Sequence, residues 1–251
     1  MVRKYIFGPI NSRRLGRSLG IDMVPLKTCP LDCVYCEAKA TTNLTMERKE
    51  YVPVDTVLAE LDETLKSLPE LDYITFSGSG EPTLNSRIGD VVNFVKSRYP
   101  QYKVCLLTNG LLLGEPELQQ EISGIDLLIP SLDGSNAAEY EAINRPVKSM
   151  PFDKMLAGLL DYLPRAPMKV WLELFVLPGV NDTAASIERF AEIIRQLQVD
   201  KVQLNYLDRP GAVADLKVAD EAVLRRFIKA LRPAVQVETV GKYRYLDSLP
   251  I

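Results

Sequence analysis

The chain has 251 residues, of which 47% are hydrophobic and 25% are charged, and its formal net charge is −3. This composition is typical of a globular protein and does not fit a disordered, collagen-like or strongly basic nucleic-acid-binding chain. The sequence contains no recognisable signal peptide, and no uncharged run approaches about 20 residues, so we expect a cytoplasmic protein without a membrane span.

The first 27 residues are unusually basic for this acidic chain, with Asp22 as their single acid. Their basic residues are Arg3, Lys4, Arg13, Arg14, Arg17 and Lys27. A loop whose charges are solvated or paired internally is the preferred interpretation, because surface charges are commonly satisfied in this way. A binding patch for an anionic substrate or a phosphate is the alternative that stays open.

A loop with three cysteines comes next along the chain. Cys29, Cys33 and Cys36 have the spacing C-x3-C-x2-C, and Cys105 is the one other cysteine. Thiolates are soft ligands that suit iron–sulfur clusters, and three of them would leave one iron of a cubane open for a cofactor. A structural zinc site would need four Cys or His ligands, and the chain has no histidine. The open cluster is therefore preferred, with zinc as the minor alternative and a disulfide scaffold disfavoured.

Short apolar runs alternate with amphipathic segments along the rest of the chain, which indicates parallel strands joined by helices. The predicted strands are 20–26, 73–77, 103–108, 126–131, 169–177, 201–206 and 234–240. Apolar side chains at helical spacing predict helices that include 57–68, 88–95, 155–163 and 187–197. Asp55 and the polar residues 181–183 are expected to cap the first and last of these helices. Cys105 falls within an apolar run and is expected to be a core residue.

Polar residues and glycines follow the ends of several predicted strands. They are Gly78, Ser79, Gly80, Glu81, Thr108, Asn109, Ser131, Asp133 and Asn205. Each of them alone is typical of a turn. In a barrel of parallel strands, however, the residues that follow the strands all ring one mouth. The sequence therefore favours an α/β barrel with a ligand site at this mouth over an open doubly wound sheet.

Taken together, these motifs resemble those of the radical S-adenosylmethionine (radical SAM) superfamily. The cysteine spacing, with Tyr35 before the last cysteine, is similar to its signature, and the turn Gly-Ser-Gly-Glu-Pro resembles its Gly-Gly-Glu-Pro turn. The resemblance continues through the runs Ser-Leu-Asp at 131–133, Ile-Asn-Arg-Pro at 143–146 and Leu-Pro-Gly-Val-Asn-Asp at 177–182. Residues 8–20 resemble the branch that contains tRNA 4-demethylwyosine synthase, although this chain has none of that branch's additional cysteines before Cys29.

The resemblance implies one domain over residues 1–251, built as a partial (β/α)6 TIM-like barrel. Its core would span approximately 18–210, and 211–251 would add a C-terminal helix and strand. It also implies a [4Fe–4S] cluster held by Cys29, Cys33 and Cys36, with S-adenosylmethionine on the fourth iron. The implied reaction is reductive cleavage of S-adenosylmethionine to methionine and a 5′-deoxyadenosyl radical, which abstracts hydrogen from an unidentified nucleoside or tRNA base, peptide or small molecule.

Several residues acquire expected roles from the same resemblance. The backbone of Tyr35 would contact the adenine, Gly80 the amino group, Ser131 the ribose and Asn205 the adenine edge. Glu81 is expected mainly to anchor its turn. The other candidates for cofactor contacts are Gly78, Ser79, Thr108, Asn109 and Asp133.

Two other functions stay open at this point. One is an activating enzyme that forms a glycyl radical on a partner protein, and the other is a non-catalytic iron–sulfur electron-transfer protein. A low-potential flavodoxin or ferredoxin is the expected electron donor, and the oligomeric state is left open. Arg145, Trp171, Glu173, Arg209 and residues 242–245 are considered as substrate contacts, but ordinary structural roles are preferred for them.

Overall fold

The computed structural model describes residues 4–248, so Arg3 of the predicted basic set lies outside the described part. One sheet contains eight strands, in the order β1 (Ile6–Ser12), β2 (Gly16–Ile21), β5 (Tyr73–Phe76), β6 (Val104–Thr108), β7 (Leu127–Pro130), β8 (Lys169–Phe175), β9 (Lys201–Asn205) and β10 (Gln236–Thr239). A second, two-stranded sheet pairs β3 (Thr28–Cys29) with β4 (Asn43–Leu44). Strand β1 is antiparallel to β2, whereas all pairs from β2 to β10 are parallel.

The order of the parallel strands follows the chain without a reversal, as in a barrel and unlike a doubly wound sheet. Within residues 4–248, β1 pairs only with β2 and β10 only with β9, so the barrel stays open. The predicted partial (β/α)6 barrel is therefore confirmed, with β2 and β5 to β9 as its parallel strands. Strand β10 extends the same sheet by one further parallel strand.

Helices connect the strands and cover the outer face of the sheet. In the described residues they are α1 (Val54–Leu65), α2 (Ile88–Arg98), α3 (Pro116–Glu121), α4 (Ala137–Asn144), α5 (Phe152–Tyr162), α6 (Ala184–Leu197) and α7 (Glu221–Leu231). Helix α6 begins where the sequence predicted, because the Thr183 side chain accepts a hydrogen bond from the Ser186 amide at 3.1 Å. No helix within residues 4–248 combines the length and apolar character that crossing a membrane requires.

The two faces of the sheet carry different cores. Alternate residues such as Ile74, Leu106 and Leu172 face the helices and join a large apolar cluster with them. The residues between them face the barrel interior, where Cys105, Leu127 and Ile129 are buried beside Leu15 and form a small apolar layer. This layer lies in the barrel interior, and one of its members, Ile129, also lines the cavity described below.

Three details of the predicted elements are wrong. Strand β2 ends at Ile21, since the chain leaves the sheet before 22–26 to build the cysteine loop. The edge strand β1 was not predicted because Gly8 and Pro9 interrupt its apolar pattern, and an edge strand tolerates such residues. Asp55 does not cap α1; it lies in the first turn, and the Glu50 carboxylate accepts from the Val54 amide at 2.8 Å instead.

Cys105 is a core residue, as predicted, and is fully buried. Replacing it in Cys105→Ala removes one buried sulfur, so we expect the free energy of unfolding to fall by about 1 kcal/mol. The iron content after reconstitution should equal that of the unaltered protein, because Cys105 lies in the apolar layer and does not line the cavity described below. Urea denaturation and iron analysis would check both statements; loss of iron in this variant would contradict the assignment.

Candidate functional site

The carboxyl ends of the parallel strands surround a cavity of about 390 Å³. Its wall includes Cys29, Cys33 and Cys36, all three of which are free thiols with partial exposure. Strand β3 holds Cys29 against β4, and the other two thiols follow in the loop between these strands. Three soft ligands therefore border one cavity at the mouth of the barrel.

Each of the three sulfurs lies close to a different nitrogen donor. The Asn109 side-chain amide lies 3.7 Å from Cys29 Sγ, and that of Asn144 lies 3.3 Å from Cys33 Sγ. The Lys27 ammonium lies 3.1 Å from Cys36 Sγ. Such N–H groups stabilise negative charge on sulfur, and outer-shell donors of this kind orient and tune metal ligands.

The protonation of the thiols depends on the same surroundings. Burial raises the pKa of Cys29 to about 12, and the nearby Glu81 carboxylate adds to this effect. Burial and then Asp133 raise the pKa of Cys33 well above its ordinary value. Both thiols are therefore protonated at neutral pH in the absence of metal, and iron uptake would release their protons.

Within residues 4–248, no three His, Cys, Asp or Glu side chains are gathered closely enough to hold a single metal ion. The side chains around the cavity nevertheless fit an iron–sulfur group in their chemistry. The ligands are thiols, nitrogen donors approach each sulfur, and much of the lining is apolar. The aliphatic and phenylalanine side chains in the lining are Leu31, Leu107, Ile129, Leu132, Met155, Phe175 and Leu207.

The glycine turn after β5 packs directly on the cysteine loop. A Cβ atom on Gly80 would lie 2.1 Å from the carbonyl oxygen of Thr28, so only glycine fits there. The Glu81 amide donates to this same carbonyl at 3.0 Å, and the Lys27 amide donates to the Ser79 carbonyl at 2.7 Å. These contacts fix the turn relative to Cys29.

Glu81 anchors the turn, as expected from the sequence. Its carboxylate is buried and accepts from the Thr83 amide at 3.1 Å, the Thr83 hydroxyl at 2.6 Å, the Thr108 hydroxyl at 2.7 Å and the Asn109 amide at 2.8 Å. Burial raises the pKa of Glu81 despite these donors. The carboxylate thus joins the end of β5 to the end of β6, and it orients Asn109 beside Cys29.

Asp133 follows β7, the strand next to β6, and performs the same task there. Its carboxylate accepts from the Tyr35 hydroxyl at 2.6 Å, the Asn144 amide at 2.7 Å and the Phe175 backbone amide at 3.1 Å. The rings of Tyr35 and Phe175 are stacked, with centroids 3.8 Å apart. Asp133 therefore connects the cysteine loop, the end of α4 and the end of β8.

All of the predicted site residues line the cavity except Ser79. The Ser79 amide and hydroxyl instead bind the carboxylate of Asp22, which turns this side chain away from the cavity. Sequence reasoning could not see this, because Asp22 lies 57 residues earlier in the chain.

Two arginines of the basic N-terminal segment, Arg13 and Arg14, line the cavity and are paired with carboxylates. Arg14 forms an ion pair with Glu173, and both line the cavity. Arg13 binds Asp208 at 2.8 Å and Glu37 at 3.1 Å, and Glu37 also binds Arg209 at 3.1 Å. The preferred interpretation, internal pairing, therefore describes Arg13 and Arg14, although both also face the site.

The other residues considered as substrate contacts divide into two groups. Glu173 and Arg209 line the cavity, where Glu173 is paired with Arg14 and Arg209 with Glu37. Trp171 packs on the apolar layer with the Lys201 ammonium 4.1 Å from its ring centre, and Arg145 lies on a loop 4.0 Å from Asp32. Residues 242–245 lie in a short 3-10 helix and do not line the cavity.

The sequence suggested no site role for two residues whose side-chain nitrogen atoms lie close to the cysteine sulfurs. Asn144 lies within the Ile-Asn-Arg-Pro run, so the motif itself marks the position, but its contact with Cys33 joins residues 111 apart in sequence. Lys27 was counted only as one of several basic residues. Its positive φ of 57° and its contact with Cys36 become visible only in the folded chain.

Comparison with known proteins supports the resemblance seen in the sequence. A family model described as the Radical SAM superfamily matches residues 23–197. A UPF0026 protein of Helicobacter pylori is 31% identical over 223 residues, which cover 88% of this chain and 71% of that protein. A Brachyspira hyodysenteriae protein named GTPase Obg is 39% identical over 201 residues, but the match spans 80% of this chain and only 29% of that protein.

Among solved structures, TYW1 with a lysine–pyruvate adduct bound has a TM-score of 0.60 and 18% sequence identity, covering 88% of this chain and 74% of that one. This likeness shows the fold. From the matched family model and the UPF0026 relative, we conclude that the chain belongs to the radical SAM superfamily of enzymes, whose members take S-adenosylmethionine and an iron–sulfur cluster as cofactors.

Proposed function

We propose that this protein cleaves S-adenosylmethionine reductively at a [4Fe–4S] cluster held by Cys29, Cys33 and Cys36, and that the radical so formed abstracts hydrogen from a substrate in the same cavity. The observation that carries the proposal is the convergence of three free thiols and the strand-end polar residues on one cavity. When bound, the cluster and S-adenosylmethionine supply one electron and the 5′-deoxyadenosyl radical; the protein supplies binding, orientation and exclusion of water.

The residues around the cavity divide this work between them. The Glu81 carboxylate accepts hydrogen bonds from the end of β6, and the Asp133 carboxylate accepts them from the ends of α4 and β8, so the two carboxylates hold neighbouring parts of the site in place. The side-chain amide of Asn109 donates to the sulfur of Cys29, and that of Asn144 donates to the sulfur of Cys33. The apolar lining keeps water away, which strengthens every electrostatic contact in the cavity.

The substrate is proposed only by its class. The rim contains side chains of both signs, namely Arg13, Glu37, Asp208 and Arg209, so we infer a polar substrate. No lysine is among the cavity-lining residues of the described chain. A lysine adduct with pyruvate, as in the TYW1 structure, is therefore not part of this proposal. A cytoplasmic flavodoxin or ferredoxin is the proposed electron donor.

The proposal can be tested with the reconstituted protein under anaerobic conditions. After reduction with dithionite and addition of S-adenosylmethionine, mass spectrometry should detect 5′-deoxyadenosine. Cys29→Ala, Cys33→Ala and Cys36→Ala should each lower its formation at least a hundredfold, whereas Cys105→Ala should leave it within twofold of the unaltered protein. A reduced cluster whose EPR spectrum ignores S-adenosylmethionine, without 5′-deoxyadenosine, would refute the proposal.

A further inference from the structure

Lys27 is a buried cation next to a predicted cluster ligand. The residue is 4% exposed, and its ammonium nitrogen lies 3.1 Å from Cys36 Sγ. Within residues 4–248, no Asp or Glu carboxylate lies within 4.0 Å of this nitrogen. Proteins rarely bury a charged side chain unless an opposite charge accompanies it. The sulfur of Cys36 is the described group in a position to carry that charge.

The backbone of Lys27 is held in an unusual conformation. Its φ of 57° lies in the left-handed region, which disfavours any residue with a Cβ atom. Three backbone hydrogen bonds fix it there: its amide donates to the Ser79 carbonyl, and its own carbonyl accepts from the amides of Thr42 and Asn43. This anchoring joins the glycine turn to the cysteine loop, and it aims the lysine side chain at Cys36.

The position of Lys27 restricts what it can act on. It is absent from the residues that line the cavity in the described chain, so it approaches Cys36 from behind the cavity wall. A substrate or S-adenosylmethionine in the cavity would not be in contact with it. The ammonium is therefore placed to act on the ligand sulfur.

We propose that the Lys27 ammonium is the fixed counter-charge of the cluster and that it raises the cluster's reduction potential. The inference rests on the proposed function, because it takes Cys36 as a cluster ligand. One electron from a low-potential donor reduces the cluster from the 2+ to the 1+ state, and no proton or bond is transferred. A positive charge close to a ligand sulfur stabilises the added negative charge. Lys27 contributes more than Asn109 or Asn144, because a hydrogen bond from a charged donor is stronger than one from a neutral amide.

The test is a redox titration of the reconstituted protein, followed by EPR and without S-adenosylmethionine. Lys27→Met is expected to disfavour one-electron reduction at least tenfold, which corresponds to 59 mV towards more negative potential. Lys27→Arg keeps the charge and should restore most of the difference. Lys39→Met is the matched control, since it removes a lysine charge from the loop between β3 and β4, at an exposed residue whose side chain contacts the Gly211 carbonyl. In Lys39→Met, the equilibrium constant for one-electron reduction should change by less than threefold.

The outcomes separate this inference from the proposed function. If the unaltered protein holds no cluster that depends on Cys29, Cys33 and Cys36, the proposed function itself fails. If it holds one and the potential of Lys27→Met is unchanged, or moves no more than that of Lys39→Met, only the inference is overturned. If Lys27→Met binds no iron, the iron content of Lys27→Arg decides. Iron binding in Lys27→Arg, which keeps the charge, supports the inference that Lys27 is a counter-charge. Loss of iron in both variants shows a packing role for Lys27 and overturns the inference.

Discussion

Glu81→Ala is expected to lower the free energy of unfolding by about 4 kcal/mol and to abolish formation of 5′-deoxyadenosine. The substitution leaves the buried backbone amide of Thr83 and the partly buried backbone amide of Asn109 without their acceptor, and each unsatisfied buried donor costs about 1–3 kcal/mol. Asn109 would also lose the contact that orients it beside Cys29. Urea denaturation and mass spectrometry would measure the two effects.

Two controls make the Glu81 prediction specific. Glu188→Ala removes an exposed carboxylate from α6 and should change the free energy of unfolding by less than about 0.5 kcal/mol.

Glu81→Gln tests the role of the charge. Burial raises the pKa of Glu81 in the folded state, so at pH values between the ordinary and the raised pKa the folded protein binds more protons than the unfolded chain. The unfolding free energy contributed by this group is therefore full at low pH and is lost as pH rises through the raised pKa. This slope should vanish in Glu81→Gln. A slope that persists there would assign it to another group.

Asp133→Ala is expected to cost about 3 kcal/mol of unfolding free energy and to reduce the iron bound after reconstitution at least fivefold. Its carboxylate is the shared acceptor of the Tyr35 hydroxyl on the cysteine loop, the Asn144 side-chain amide at the end of α4 and the Phe175 backbone amide at the end of β8. Without it, the amide of Asn144 loses the contact that positions it beside Cys33. Iron analysis and urea denaturation would measure both quantities.

The effect of Asp133 can be divided with milder changes. Tyr35→Phe keeps the ring that stacks on Phe175 and removes only the hydroxyl, so we expect a loss of about 1–2 kcal/mol with most of the iron retained. Asp153→Ala removes an exposed aspartate in the first turn of α5 and is the matched control. Equal iron content in Asp133→Ala and Asp153→Ala would show that the Asp133 network does not support the cysteine loop.

The sequence predicted the barrel, and it identified most of the residues that line the cavity, because both follow from local patterns. Buried parallel strands have continuous apolar runs, and their ends carry the polar residues of the site. The spacing of Cys29, Cys33 and Cys36 is likewise local. Each of these signals lies within a few neighbouring residues and can be recognised before the chain is folded.

The hydrogen-bond partners of those residues could not be predicted in the same way. Asn109 meets Cys29 across 80 residues of sequence, and Tyr35 meets Asp133 across 98. Such pairs depend on the register between distant strands, which no local pattern encodes. The orientation of Ser79 was missed for this reason too, since a serine in a glycine turn gives no sign of which carboxylate it will meet.

The open barrel has two outer strands whose backbone groups could recruit a strand from another molecule, and they differ in how this is prevented. Strand β1 exposes Phe7 and Ile10, but Pro9 between them lacks an amide hydrogen and the register shifts at the same place. Beside β10, the 3-10 helix Gly241–Ser248 places the Asp247 carboxylate 2.8 Å from the Thr239 amide. These features disfavour the addition of a further strand at β1 and at β10. The barrel can therefore stay open without exposing two strand edges to edge-to-edge aggregation.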